Sequence, residues 1–380
     1  MYENLKWCIP YILPLKNLLI PLVILRGETR ANRRPGALLF AGNEHRTKYI
    51  SDRFFESKPD RENLCDVFLW NLAPTLKRLR SSADLTVVHI DRFSARVFFD
   101  ADYLVVPEWV GSMLNVQGNP GNIASRNHTL KDALRIVRRN KLSHEISRAE
   151  TDFEQFYHTM YVPFIRSRHG ERAVVRDFYQ MRRAFHQGGL IWVLRGKERI
   201  SGQLFRRQNQ VLQVLALGTA KGDLTPIKDG AGTALDLFTI NHAKELGCKF
   251  IEFGGSRPCL TDGLLRYKRK WGMSLTEQHS FRYDFLIHWN KFDGMLTSFF
   301  ANTPLIFRKK DGFAAICVIS QDEAVDQIQA MKVQTSMWMA GLQELYLIST
   351  SGWQPGISSP PQTKLINLKN FNGLTPSTLK

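Results

Sequence analysis

The sequence holds no run of about 20 uninterrupted apolar residues, the length a conventional membrane-spanning helix needs. It has no CxxC pair and no zinc-type Cys/His spacing, so no metal site is expected. The five cysteines, at positions 8, 65, 248, 259 and 317, are odd in number. A chain this long does not need disulfide staples, and reduced thiols in the cytoplasm are the expectation. Acidic residues are scarce: 35 against 52 basic ones, for a formal net charge of +17. That balance favours polyanionic partners: nucleic acid, anionic lipid, or phosphorylated cofactors and substrates. The plain alternative is a basic surface that aids solubility. No short-period repeat is present. An apolar fraction of 43% and a charged fraction of 23% exclude a mostly disordered chain, a collagen and a long coiled coil. At roughly 150 residues per domain, the length predicts two or three domains.

Residues 7–25 are apolar-rich, but Pro10, Pro14, Pro21, Lys16 and Asn17 interrupt them. Prolines at this density oppose a continuous helix. The charged flank of a secretory signal is missing before the stretch, and no small-residue cleavage site follows Leu25. A strand or extended segment packed on the core is expected, with a peripheral membrane contact as the alternative. Residues 26–36 read as a basic loop.

Strands are predicted at 85–90, 96–99 and 103–106, where Val and Phe are frequent. Residues 114–127, with Gly118, Asn119, Pro120, Gly121 and Asn122, read as a loop. An amphipathic helix is predicted at 130–140, with Leu130, Ala133, Leu134 and Val137 as its apolar stripe. A short strand at 144–147 and a helix at 151–169 follow, the helix kinked or split by Pro163 and stopped by Gly170. A second helix spans 176–187. Three strands at 190–195, 199–207 and 210–217 are joined by short links, which favours an antiparallel meander. A buried helix at 230–246, a strand at 249–253, a short helix at 262–270 and a strand at 274–285 complete this part. Further on, 313–320 and 345–348 read as strands and 322–333 as a helix. From 351 the chain is rich in Ser, Pro, Gly and Asn and is expected to be disordered.

From residue 150 onward the order is two helices, three antiparallel strands, a Gly-opened helix, a strand, a short helix and a strand. This resembles the GNAT acyltransferase fold. The resemblance becomes specific at 250–272, FIEFGGSRPCLTDGLLRYKRKWG. That segment is similar to the FemAB-like branch, including CelD-like acetyltransferase domains. There an acidic–Phe–Gly strand end leads to a Gly-Leu-x-x-aromatic-Lys-basic-x-aromatic-Gly segment, here Gly263 to Gly272. The likeness covers about 130–285. It implies an α+β (α/β) fold of tandem GNAT-like acyl-CoA N-acyltransferase type, with a mixed, mostly antiparallel sheet flanked by helices. The expected segments are an apolar and basic stretch at 1–35, a degenerate first half at 36–128 and the acyltransferase domain at 129–300. A C-terminal α/β extension at 301–350 and the tail at 351–380 follow. The chain departs from the family's cofactor signature, Gln/Arg-x-x-Gly-x-Gly/Ala. Aligning Gly230 and Gly232 puts Ile227 where a polar residue is expected.

Gly230, Gly232 and Thr233 open a helix, where free backbone N–H groups and the helix dipole suit a phosphate. In the GNAT reading they are the coenzyme A pyrophosphate site. Leu217 and Gly218 end the predicted central strand and are candidates to hold the thioester carbonyl and its oxyanion. Glu252, in a short strand, is a candidate base for an attacking amine. Its plain alternative is a carboxylate paired with Arg257 or Lys249. Asp262 is a second candidate base or a helix cap, and Arg257 and Asp262 are candidate substrate contacts. Leu264, Lys268 and Trp271 share one helical face, so Lys268 lies within an apolar stripe. The resemblance to Fem ligases links Lys268 to catalysis, against a lysine that snorkels past Trp271. Tyr267 is a candidate acid for the leaving thiolate or a packing residue. His186, His242 and His279 read as packing or surface residues.

The resulting expectation is a cytoplasmic N-acyltransferase that takes acetyl-CoA or another acyl-CoA as donor. Its acceptor carries an amine, of the cell-envelope or polysaccharide kind. Two alternatives stand beside it. One is an aminoacyl-tRNA-dependent ligase, for which the basic helix with Lys131, Arg135, Arg138 and Arg139 suits RNA phosphates. The other is a non-catalytic module binding nucleic acid or anionic membrane.

Overall fold

The computed structural model describes residues 18–30, 33–117, 128–170, 173–278, 282–368 and 375–379. The expectations for 1–17, for the glycine-rich part of the 114–127 loop and for His279 lie outside the described residues. The first elements are β1 (Leu19–Glu28), β2 (Pro35–Ala41), α1 (Glu44–Phe54), β3 (Asp60–Phe68), α2 (Leu69–Leu79), β4 (Leu85–Asp91), α3 (Arg92–Phe98) and β5 (Leu104–Pro107). Then come β6 (Gly111–Asn115), α4 (His128–Arg139), β7 (Leu142–Ser147), α5 (Glu150–Gln155), a π turn (Phe156–Tyr161), α6 (Val162–His169) and α7 (Phe178–His186). The meander is β8 (Gly188–Arg195), β9 (Glu198–Gln208) and β10 (Val211–Thr219), followed by α8 (Ala231–Glu245), β11 (Phe250–Glu252), α9 (Gly263–Lys270) and β12 (Ser274–Thr276). The last elements are β13 (Tyr283–His288), α10 (Gly294–Asn302), β14 (Ile306–Lys309), β15 (Gly312–Ile319), α11 (Gln327–Met337), β16 (Leu342–Ser349) and β17 (Thr363–Asn367).

The chain forms an α+β fold of two units. Unit 1 takes residues 1–110, 257–265 and 279–380, and unit 2 takes 111–256 and 266–278. Unit 1 thus gathers most of the stretches 36–128 and 301–350, which the sequence alone separates, together with residues of the tail.

Unit 1 holds a six-stranded sheet in the order β3-β1-β2-β4-β13-β5 and a four-stranded sheet in the order β14-β15-β16-β17. One face of the larger sheet joins the smaller one in a core built on Phe40, Phe54, Phe285, Phe300, Phe307 and Ile316. The other face packs Leu39, Val88 and Leu286 against Leu69, Leu72 and Leu76 of α2. Three expectations are corrected here. Residues 96–98 belong to helix α3, with Phe99 extended just past its end, because Asp91 at the end of β4 accepts from the Ser94 N–H and starts a helix there. The helix expected at 322–333 begins at Gln327, where Asp326 and Gln329 form a reciprocal capping box. The tail is ordered where it is described: β17 pairs in parallel with β16, and Leu379 is fully buried.

Unit 2 is a seven-stranded sheet in the order β12-β6-β11-β10-β9-β8-β7. Strands β7 to β10 form the antiparallel meander, and β10 pairs in parallel with β11. The predicted strand 274–285 is two strands, β12 and β13, which sit in different sheets. One face of the meander carries Trp192, Leu204 and Ala216 against Phe153, Phe156 and Phe185 of the preceding helices. Pro163 lies directly after the π turn, where the helical run widens and resumes as α6 without a break. Among the described residues no helix is long and apolar enough to cross a membrane.

Candidate functional site

In unit 2, β10 and β11 pair over three positions only, Val211↔Phe250, Leu212↔Ile251 and Gln213↔Glu252. A bulge then displaces β10 between Val214 and Ala216, and β10 runs on to Thr219 beside β9 alone. At the end of β11 the Phe253 N–H turns to Ser112 O of β6 instead. Residues 214–219 therefore offer one strand edge with no strand beside it among the described residues. At its end the Thr219 hydroxyl is buried and has no hydrogen-bond partner among the described residues. Such an orphan calls for a ligand or a water.

Leu217 and Gly218 lie on this stretch. Leu217 is half-buried. Gly218 is pinned between two neighbours: its carbonyl accepts from Ser201 Oγ at 2.8 Å, and a Cβ added to it would stand 2.6 Å from the Tyr161 nitrogen. The glycine is what lets the π turn rest on the strand. Turns of this kind recur at functional sites.

The chain next reaches Gly230, the N-cap of α8, at φ +96°, a left-handed conformation that favours glycine. A Cβ there would also meet Ile136 of α4 at 3.1 Å. Gly232 is different: the nearest atoms to an added Cβ are Ile227 methyls at 3.8 and 3.9 Å. The first internal bond of α8 comes from the Ala234 N–H to Gly230 O, so the three preceding N–H groups stand at its open end. An anion fits such a turn, and small residues leave it room. The Thr233 side chain, however, faces Tyr267.

Tyr267 and Lys268 of α9 meet a residue that the sequence reading passed over, Asp236 of α8. The Tyr267 hydroxyl donates to Asp236 Oδ2 at 2.6 Å. Burial pushes the Asp236 carboxyl up to about 7, against the lowering effects of the Tyr267 hydrogen bond and the Lys268 charge. Burial and the Asp236 charge lift Tyr267 well above its ordinary value. Lys268 is 3% exposed and donates through Nζ to Gly254 O at 2.9 Å, just past the end of β11. It does not snorkel to the surface. The signal in the sequence was a lone acid on an otherwise apolar helical stretch, 231–240.

Glu252 pairs with neither Arg257 nor Lys249. Its Oε2 accepts from Gln213 Nε2 at 2.6 Å, and Gln213 Oε1 accepts from Arg206 Nε at 2.5 Å. The three form a polar ladder across β9, β10 and β11. Gln203 bonds Thr239 of α8, and Phe205 meets His242 of α8 edge-on. Alternation along β9 thus turns Arg206, with its cross-strand partner Gln213, to the sheet face away from α8. Glu252 and the Lys268 anchor lie two residues apart in sequence at the end of β11, while Tyr267 is held on the α8 side.

The two candidate substrate contacts fall in unit 1. Arg257 lies against the Trp109 and Tyr49 rings, 3.9 and 4.7 Å from their centroids, with NH1 3.7 Å from Glu108 Oε1. Asp262 caps α9, accepting from the Leu264 and Leu265 N–H groups. His186 of α7 pairs with Glu150 of α5, and His242 pairs with Glu245 one turn along α8. The described cysteines, 65, 248, 259 and 317, are free.

No protein-family model matches this sequence, and no curated protein does. Among solved structures the chain is similar to FemX, at 12% identity and TM-score 0.37, over 66% of this chain and 84% of that one. It is similar to L-PGS from Bacillus licheniformis, at 10% identity and TM-score 0.33, over 66% and 76% of the two chains. A GCN5-related N-acetyltransferase from Sphaerobacter thermophilus is also similar, at 11% identity and TM-score 0.33, over 75% and 84%. At these values the likenesses bear on no residue and no activity of this chain.

Proposed function

We propose that unit 2 is an acyltransferase core that moves an acyl group from a thioester, acetyl-CoA or another acyl-CoA, to an amine. The observation that carries the reading is the parting of β10 from β11 after Gln213, with the Gly230 turn opening a helix further along the same chain. The free edge at 214–219 suits the extended, amide-bearing arm of such a donor. The N–H groups at 231–233 suit its pyrophosphate. Backbone at Leu217–Gly218 is the proposed support for the oxyanion.

In the proposed reaction the amine nitrogen attacks the thioester carbonyl, a C–N bond forms and the C–S bond breaks. Glu252, or a water beside it, accepts the amine proton. The Tyr267–Asp236 pair, with Lys268 beside it, is the proposed source of the proton returned to the departing thiolate.

A second reading, an aminoacyl-tRNA donor, is favoured by one feature. Lys131, Arg135, Arg138 and Arg139 are exposed on α4, the helix whose Ile136 packs on the Gly230 turn. A cationic stripe beside a phosphate-binding turn suits a long polyphosphate.

The test is thermal stabilisation by coenzyme A and acetyl-CoA, with dephospho-CoA as control, at fixed ionic strength. At 100 times its dissociation constant a ligand adds about 2.7 kcal/mol. A shift supports the thioester reading. Absence of a shift at millimolar ligand removes it, and RNase-sensitive transfer would then support the second.

A further inference from the structure

Unit 1 carries a second concave site, built from residues that the proposed transfer does not use. Strand β2 is parallel to β4, and β13 is antiparallel to both β4 and β5, so β2, β4 and β5 all run the same way. Their carboxyl ends bring Gly42, His89 and Glu108 to one edge of the sheet. In open α/β sheets, ligands bind in the crevice at that edge. Gly42 is required there: its φ is +127°, and a Cβ would stand 2.6 Å from the His89 carbonyl oxygen.

A cavity of about 330 Å³ opens at this edge. Leu19, Ile20 and Leu69 line one part of it, and Arg46, His89 and Glu108 another. The polar part is a constructed floor. Glu108 is 3% exposed and His89 6%. Glu108 Oε2 lies 3.3 Å from His89 Nε2, its Oε1 accepts from Trp109 Nε1 at 3.2 Å, and Arg46 Nε stands 3.1 Å from the same Oε1 as an ion pair. Burial would raise the Glu108 carboxyl, but the His89 hydrogen bond and the charges of His89, Arg46 and Arg257 hold it below its ordinary value.

The ionised Glu108 is thus spent on fixing its neighbours. Arg46 is held through Nε, and its two terminal nitrogens have no partner among the described residues. His89 is held through Nε2 and stacked on Tyr283 at 5.0 Å, and its Nδ1 likewise has no partner among the described residues. Asp91, the other acid on the wall, caps α3 through Oδ1. Arg46 and Arg257 both face the Glu108 carboxylate, and the outer end of the Arg46 fork is the cationic group presented beside the apolar wall.

We propose that this cavity binds a small organic oxyanion with an apolar body, a carboxylate or a phosphate monoester. The head sits on Arg46 beside His89, and the body lies against Leu19, Ile20 and Leu69. A forked guanidinium fixed on one side by a buried acid is suited to both heads.

The full chain would be titrated calorimetrically with octanoate and with octyl phosphate at fixed ionic strength, with octanol supplying the body without a charged head. At least one anion should bind ten-fold or more tightly than octanol, and the stronger of the two identifies the head. Arg46→Ala should lower its affinity at least ten-fold, and Arg46→Lys should recover only part. The side chain of Arg46 is 39% exposed, so its loss opens no core. In parallel, the His89 ring resonances of the unsubstituted chain should move on titration with the same anion. Anions no tighter than octanol, affinity indifferent to Arg46, or unmoved His89 resonances would each overturn the proposal.

Discussion

The Tyr267 hydroxyl donates to Asp236 Oδ2 at 2.6 Å, across two helices, and the Asp236 side chain is buried. A carboxyl so buried holds its proton to about pH 7, well above its ordinary value of 3.8. Between these limits the folded chain keeps a proton that the unfolded chain has released. Stability from this group is therefore complete below about pH 4, falls as pH rises, and is flat again above pH 7. The full swing is on the order of 4 kcal/mol. Asp236→Asn removes it. Urea unfolding of both forms from pH 4 to 8 should show the substituted chain gaining on the original as pH rises. A difference that stays constant with pH would refute the buried acid.

Lys268 lowers Asp236 through its charge and ties down the Gly254 carbonyl. Lys268→Met should cost about 1–3 kcal/mol, because a half-buried carbonyl loses its donor. It should also move the Asp236-linked fall in stability to higher pH, since the nearby positive charge is gone. A lysine with no bearing on Asp236 would leave the position of that fall unchanged. The two readouts, taken from the same unfolding series, separate anchoring from electrostatics.

The ladder Arg206–Gln213–Glu252 poses a sharper question, because it serves equally as sheet glue or as the support of a base. Under the proposed transfer, Glu252→Gln should lower kcat by about 10²–10⁴ while KM for the acyl donor stays the same. Gln213→Ala should weaken both effects of Glu252 without abolishing turnover. If kcat holds and only the unfolding midpoint moves, Glu252 is structural.

Unit 2 was legible in the sequence because its strands follow one another. Short links between 190 and 217 announced a meander, and Gly230 and Gly247 bracketed the buried helix. Unit 1 was not, because its pairings are distant. Strand β13 enters between β4 and β5 from far along the chain, and β17 finds β16 from within a Pro- and Ser-rich tail. Such pairings leave no period in a local window. Of the candidate site, Lys268 in an apolar stripe could be read directly. Its neighbour Asp236 could be read only as an acid out of place, since the contact joins two helices. The His89–Glu108–Arg46 floor is invisible in sequence, because two strand ends and the first turn of α1 assemble it.

Gly218 tests whether the π turn and the strand end are one structure. Alanine there would put a Cβ 2.6 Å from the Tyr161 nitrogen, and backbone on both sides cannot yield cheaply. Gly218→Ala should destabilise by about 1–3 kcal/mol, the range for overpacking. Hydrogen exchange should show the loss first at 156–161 and at the end of β10. Uniform faster exchange across unit 2, with no local onset, would count against the coupling.

Gly230 and Gly232 stand two residues apart and should respond in opposite ways. Gly230→Ala forces a side chain into a left-handed conformation and against Ile136 at 3.1 Å, so it should cost about 1–2 kcal/mol of stability whatever the turn binds. Gly232→Ala meets nothing nearer than 3.8 Å, and its stability should change by about 0.5 kcal/mol or less. If 231–233 cradle a pyrophosphate, the added methyl group intrudes on the ligand and not on the protein. Gly232→Ala should then abolish most of the thermal shift with coenzyme A while the ligand-free midpoint holds. Dephospho-CoA keeps the pyrophosphate and should suffer the same loss. An undiminished shift in Gly232→Ala would move the phosphate site away from this helix end, and with it the assignment of the turn.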